Sequence, residues 1–532
     1  MKQLNLLTLI RKNAFFLIPI IVLFAMLGIY SFNLLFIIIS VILTYKIFSP
    51  LLNKKNFDSL IIKGVSIFFI FIIILQCVIL SSWLINSNFP LDATPTLTLL
   101  IMTIAYIYRH FLPKPRISKL TLPIKKAPFI RLSDIISIAI AIAIVLPLSL
   151  SLLTHDGKDM QNNVTTLAGG ADDTAHLKLV DDRLQFNRGI LYRSDAIEQV
   201  KTGDSYPAGW HSANAVIIKA IYPKISAGDE SLVAYALSKV FWFLALVFIF
   251  CRIILILYEF LCNRKPSLPA ILWLASGSLL FSRFFLVDTF RTGFYSFMPQ
   301  LIAALLLVPI LIQFSLQNNK RKACQETLLL LSVMCIGGCL SWFLVLPAFL
   351  LIIILILFDH LKNTNKRRFI KDMTSGILDN LPFYGLLLTA TAVQLYVMLT
   401  NHVAGSVSFI QGVLINGGIN TYKGEFYIFI FIGFALCLFF TCKSSEKILR
   451  YILYAILSLL IFAGIISAIQ IMYLGTNAYY YYKVLYILTV IALPVGLVGI
   501  ASSIDWIEKN KSKSIALTTS LILILIIVQL FS

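Results

Sequence analysis

Gly169-Gly170-Ala171-Asp172-Asp173-Thr174-Ala175-His176, followed further on by Ser205-Tyr206-Pro207-Ala208-Gly209-Trp210-His211, is the part of this chain that lipid cannot hold. Both stretches lie in one polar island, about residues 155–231, which carries nearly half of the chain's 24 acidic residues. On either side the sequence is a succession of apolar runs. Each is about 20 residues long, enough for a helix to cross a bilayer. Backbone groups in hydrocarbon must find partners within their own segment, so these runs are read as helices and not as open strands. The contrast between the runs and the island decides the fold class: an all-α polytopic membrane protein with about fifteen transmembrane helices and one long polar loop.

Composition agrees. Of 532 residues, 59% are hydrophobic and only 13% charged, whereas a water-soluble domain carries about 25% charged residues. A formal net charge of +20 raises a nucleic-acid reading. The basic residues, however, stand in short loops between apolar runs, where they set membrane orientation and meet anionic lipid; no nucleic-acid partner is expected. All eight cysteines fall in apolar runs or at their ends, and none is in the island. Neither a disulfide framework nor a metal-type Cys/His spacing is present.

The spans are expected at about 14–30, 33–49, 64–84, 94–112, 134–153, 232–258, 269–287 and 297–316, then 377–400, 426–442, 451–471, 484–503 and 516–531. Residues 326–358 are too long for one ordinary span. Gly337-Gly338 and Ser341-Trp342 offer a break there, so two helices are expected. Lys114, Arg116, Lys125 and Lys126 in the loop 113–133, with Lys366-Arg367-Arg368, place those loops in the cytoplasm. The N-terminus is then cytoplasmic and the island extracytoplasmic, in a multi-pass protein of the cell membrane. The first apolar run, preceded by a basic Met1–Lys12, reads as a retained helix and not as a signal peptide. Three segments result: 1–133, an N-terminal four-helix transmembrane part; 134–425, a core that includes the loop 155–231; and 426–532, a C-terminal transmembrane part.

Within the island, Leu177, Val180 and Leu184, and again Val216, Ile217, Ala220 and Ile221, recur at helical spacing. Two amphipathic helices lying along the membrane surface are expected, with Asp172, Asp173 and Thr174 at the N-cap of the first. Adjacent carboxylates cannot share one face of a regular element, so one of Asp172 and Asp173 can serve a site while the other caps. Such a carboxylate could deprotonate an acceptor hydroxyl or hold a divalent metal, and nothing in the pair selects between them. His176 follows one helical turn on. Tyr206, Trp210 and His211 put aromatic faces and an imidazole beside a Pro-Gly turn, a combination suited to sugar rings and phosphate. Interfacial anchoring accounts for Tyr206 and Trp210 equally well. Arg291, in a short outer loop with Asp288, and His402, at the start of an outer loop at 402–425, are further candidates for substrate contact. So is the run Tyr479–Lys483, read as an outer turn. Ionisable residues inside the spans are few, mainly Lys239 and Arg283. That disfavours a transporter, whose charged groups gather near the midplane.

The Gly-Ala-Asp-Asp-x-x-His element followed by Tyr-Pro-x-Gly-x-His, in the first large outer loop of a many-span protein, resembles bacterial members of the GT-C superfamily of membrane glycosyltransferases. The resemblance covers about residues 134–425. It implies a GT-C-like fold and a polyprenyl-phosphate-linked sugar as donor. It also implies a glycan, lipid or protein acceptor, and Asp172 or Asp173 as the catalytic carboxylate and, where a divalent metal is used, its ligand. The chain departs from the pattern in ending on a span, with no large soluble C-terminal domain. A polymerase or ligase of lipid-linked polysaccharide shares the donor class; a lipid or glycan transporter or flippase is the alternative from a different class.

Overall fold

The computed structural model describes residues 34–48, 52, 60–111, 131–153, 171–191, 208–225, 229–262, 266–287, 298–317, 321–362, 365–404, 424–441 and 447–531. Among these the regular structure is helical, and the one β-type contact is an isolated antiparallel bridge between Pro90 and Arg188. The expected span at 14–30 lies outside the described residues. In chain order the helices are α1 Leu34–Phe48, α2 Leu60–Ser82, α3 Thr94–Phe111, α4 Leu132–Leu153, α5 Ala171–Phe186, α6 Ala208–Ile221, α7 Asp229–Cys262, α8 Leu268–Phe281, α9 Met298–Gln317, α10 Arg321–Ser341, α11 Leu346–Lys362, α12 Lys366–Asp379, α13 Leu381–Ala404, α14 Gly424–Thr441, α15 Lys447–Leu474, α16 Tyr479–Asn510 and α17 Lys513–Phe531.

Ten helical segments are long and apolar enough to cross a membrane, and four shorter apolar helices accompany them among the described residues. Each falls on an apolar run read from the sequence. The chain is a multi-pass helical membrane protein. The expected break within 326–358 is present: α10 ends at Ser341, Trp342 is extended at φ −151° and ψ 97°, and a 3-10 turn Phe343–Val345 leads into α11. Gly338 lets the ring of Phe349 come close across this hairpin, since a Cβ there would stand 2.6 Å from it.

α16 is the hub. It packs against α7, α8, α9, α14, α15 and α17. Its crossing with α14 is made by glycines: a Cβ on Gly433 would lie 2.5 Å from the carbonyl of Gly496, and one on Gly499 would overlap the carbonyl of Gly433. Lipid supplies no hydrophobic drive between helices, so close backbone approach over small residues does this work.

The helix ends rich in Lys and Arg, the basic end of the bundle, are tied together by ion pairs. Arg252 of α7 donates to Asp134 of α4 at 2.8 Å with both side chains fully buried. Arg450 donates to Asp359 at 2.8 Å, and Arg109 reaches Glu326 at 3.4 Å and Asn380 at 3.3 Å.

Five expectations are corrected. The island's helices do not lie along a surface: residues 209–216 of α6 are all buried, enclosed by α1, α2, α5, α7 and α10. α5 starts at Ala171, so Asp172 and Asp173 belong to its first turn and not to its cap. Residues 366–379 form a separate helix, α12, ahead of the span expected from 377. Tyr479–Lys483 is not a turn but the first turn of α16, with Lys483 buried against the ring of Tyr479 at 4.1 Å and facing that of Trp342 at 5.9 Å. Finally, ionisable groups inside helices go beyond Lys239 and Arg283. Arg109, Asp134, Arg252, Asp359 and Lys483 are buried too, because each charge is matched by a partner the sequence does not place beside it. Lys239 is buried on α7, whereas Arg283 is exposed, on a π-helical turn Ser282–Leu286 that ends α8.

Candidate functional site

The described part of the island, residues 171–191 and 208–225, packs onto the opposite end of the bundle as a cap. Asn187, just after α5, takes a left-handed backbone conformation (φ 53°), which asparagine tolerates better than most residues. That turn lets its carbonyl accept from Leu91 N at 2.7 Å while its side chain donates to Asp92 at 3.0 Å and accepts from Lys219 at 3.1 Å. Lys219 also pairs with Asp92. The turn between α2 and α3 is thereby clasped to both island helices.

Beneath the clasp, Arg183 of α5 donates to Ser212 of α6 at 2.9 Å and to the carbonyl of Leu179, and Ser212 donates to the carbonyl of Gly189. Ser231, at the start of α7, donates to Asp181 at 2.6 Å. These are polar groups inside an apolar shell, so each hydrogen bond also removes a desolvation cost.

At the centre stand two of the expected site residues. His176 Nδ1 and His211 Nε2 are 3.0 Å apart. Their ring planes differ by 21° and their centroids are 5.1 Å apart, a nearly end-to-end arrangement in which one ring donates its proton and the other accepts it. Both rings are buried. Asp172 and Asp173 lie one turn before His176 on α5.

Trp210 is fully buried, its ring 4.7 Å from that of Trp242 of α7 at an angle of 62°. Trp242 donates to Asn214 of α6 at 3.2 Å. α6 enters between α2 and α10: a Cβ on Gly209 would stand 2.9 Å from the carbonyl of Leu340 and 3.5 Å from Cβ of Gln76. The first turn of α6 therefore points into the bundle, and its last turn, with Lys219, points out.

Trp242 also belongs to the wall of a cavity of about 350 Å³ between α2, α4, α7 and α9, lined by Phe68, Phe69, Ala141, Phe248 and Ile302 among others and almost wholly apolar. One indole thus joins the island to an apolar cleft in the helical bundle.

Of the remaining expected residues, His402 lies in the last turn of α13, the helix whose Tyr396 meets Trp83 at 5.2 Å beside the end of α2. The side chains of Asp172, Asp173 and His402 lie outside the described residues, and so do Tyr206 and Arg291 altogether. No group of three or more metal-ligating side chains occurs among the described residues. Sequence reading missed Arg183, Ser212, Asn214 and Trp242. Ser212-Ala213-Asn214, polar residues breaking a helix otherwise apolar, was the available signal; nothing marked Trp242 among the aromatics of its span.

Fold and cap together define a polytopic helical membrane protein with an ordered polar cap at one end. The chain belongs to a family of unknown function, DUF6541, whose model matches residues 82–530. The match begins at Ser82, the last residue of α2, and runs across the segment boundaries at 133 and 425. No curated protein matches the chain.

Proposed function

We propose that this protein is a membrane glycosyltransferase of GT-C type with about fifteen spans. It takes a polyprenyl-phosphate-linked sugar in the outer leaflet of the cell membrane and passes the sugar to a glycan, lipid or protein acceptor in envelope assembly. The observation that carries the reading is the junction at Trp242. An apolar cleft among the spans ends on the indole that also holds α6 of the polar cap. A ligand with a long apolar tail and a polar head fits that combination: hydrocarbon in the cleft, head beneath the cap.

Asp172 or Asp173 is the catalytic carboxylate in this proposal. It takes the proton of the acceptor hydroxyl or holds a divalent cation against the departing phosphate. Arg291, Tyr206 and His402 complete the head-group site. The roles of His176, His211 and Trp210 follow from their burial. The two imidazoles are turned on each other and Trp210 on Trp242, so they position the first turns of α5 and α6 and do not present faces to a sugar.

A polymerase or ligase of lipid-linked glycans would use the same cleft and cap. A lipid or glycan transporter or flippase is the alternative from a different class. Deletion complemented with wild type, Asp172→Asn or Asp173→Asn, followed by mass spectrometry of surface glycans and lipid-linked sugars, tests the proposal. We expect one substitution, expressed at the normal level, to reproduce the deletion, with loss of a sugar and accumulation of its lipid-linked donor. A wild-type profile from both variants would overturn it.

A further inference from the structure

We propose that the apolar cleft selects its lipid by tail length, with Gly64 of α2 as the residue that sets the limit. The lipid it takes is a long-chain polyprenyl phosphate, whose tail crosses the midplane, and not an ordinary acyl lipid. On the transferase reading, on which this rests, the head of that lipid lies beneath the cap.

α2 serves as the scale. Gln76 lies against the first turn of α6, since a Cβ on Gly209 would stand 3.5 Å from its own Cβ. From there α2 runs toward the basic end, meeting the cleft first at Phe69 and Phe68 and last at Gly64 and Ile61. Phe69 is seven residues from Gln76 and Ile61 is fifteen. At 1.5 Å per residue those are depths of about 10 Å and about 22 Å. The other walls agree. Ile138 of α4 is one turn from Asp134, and Ile249 of α7 is three residues from Arg252, the ion pair of the basic end. The hydrocarbon of one leaflet is about 15 Å deep, half of the bilayer's about 30 Å. With its head level with Gly209, a tail one leaflet long ends less than halfway down the cleft. A tail that fills the cleft passes into the half of the membrane next to the basic end.

Lipid tails are as apolar as the lining, so no hydrophobic drive draws a tail from the bilayer into the cleft. Selection comes from packing: a tail that stops short leaves the far lining without contact atoms, and dispersion is lost over any gap. Gly64 keeps that far end open. It is exposed, and a Cβ added to it meets nothing within 4 Å. A leucine at this position would occupy the far part of the cleft without displacing a protein atom, and it would also replace a helical glycine with a better helix former. The mouth at Trp242 and Phe69 would stay as it is.

The test measures binding of farnesyl phosphate, undecaprenyl phosphate and dioleoyl phosphatidic acid to the purified full chain by native mass spectrometry. All three carry a phosphate head and differ in the tail. Wild type should hold undecaprenyl phosphate at least about fivefold more tightly than either of the others, equivalent to about 1 kcal/mol. Gly64→Leu should unfold no lower than wild type, bind farnesyl phosphate as wild type does, and lose the preference for the long tail. Gly385→Leu on α13, where an added Cβ also meets nothing within 4 Å, should keep that preference. Equal binding of the three lipids by wild type, a preference that survives in Gly64→Leu, or an equal loss in Gly385→Leu would overturn selection by tail length and leave the transferase reading standing. Failure of wild type to bind either prenyl phosphate would remove the transferase reading and tail-length selection together.

Discussion

His176 Nδ1 and His211 Nε2 approach to 3.0 Å across the interface of α5 and α6, in an interior that also buries Arg183, Ser212, Asn214 and Trp210. Thirty-five residues separate them in the chain, and only the packing of the two helices makes them one unit. Replacing either ring with alanine strips the other of this contact. His176→Ala and His211→Ala should each lower stability by about 1 kcal/mol, the net cost of losing a buried hydrogen bond. The double variant should lose less than the sum of the two, since coupled pairs deviate from additivity by about 0.5–3 kcal/mol. Thermal unfolding of the detergent-solubilised protein measures all three, and strict additivity would show that the rings act separately.

The buried Arg252–Asp134 pair makes a sharper case. Nη1 and Nη2 of Arg252 carry no further hydrogen bond among the described residues. Removing one partner leaves an uncompensated charge in the apolar interior. Asp134→Leu or Arg252→Met alone should therefore destabilise by about 3–5 kcal/mol, whereas the two together should restore most of the loss. A double variant as unstable as the worse single one would count against this account.

Helix crossing sets a third expectation. Gly499→Leu should abolish the folded, monodisperse protein in size-exclusion chromatography, because the side chain would have to occupy the backbone of α14 at Gly433. Gly464→Ala on α15, where nothing lies within 4 Å of an added Cβ, should elute as wild type.

The apolar cleft yields a functional prediction. Ala141 is 1% exposed and lines the cavity. Ala141→Phe should fill it without loss of unfolding temperature. The same variant should deplete co-purifying isoprenoid or acyl lipid and cut transferase activity at least about tenfold, equivalent to about 1.4 kcal/mol of binding. Unchanged lipid content and unchanged activity would remove the cleft from the proposed donor site.

Much of the architecture was legible. The break at Trp342 could be read because Gly337-Gly338 and Ser341-Trp342 interrupt a run too long for one span. α12 was missed because Ile377 and Leu378 continue into the apolar α13, and composition alone does not show that Asn380 separates the two helices. Tyr479–Lys483 was read as a turn because four tyrosines and a lysine look interfacial; burial of Lys483 against Tyr479 makes them the start of a helix instead.

The site divides in the same way. Sequence singled out Asp172, Asp173, His176, Trp210 and His211 as an unusual group in the one long polar segment. It could not say that residues 209–216 of α6 are all buried, or that His176 meets His211. Nor could it show that Trp210 reaches Trp242 and, through it, an apolar cleft.

By itself the sequence determined that this is a many-helix membrane protein with one polar island, because hydrocarbon admits only backbones that satisfy their own hydrogen bonds and apolar runs of spanning length report that directly. Tertiary structure alone decided where the island goes and which charges can be buried. Those depend on partners far apart in the chain, such as Arg252 with Asp134, Arg183 with Ser212 and Lys219 with Asp92. A buried polar group is tolerated only when its partner arrives, and the partner's arrival is a property of packing and not of local sequence.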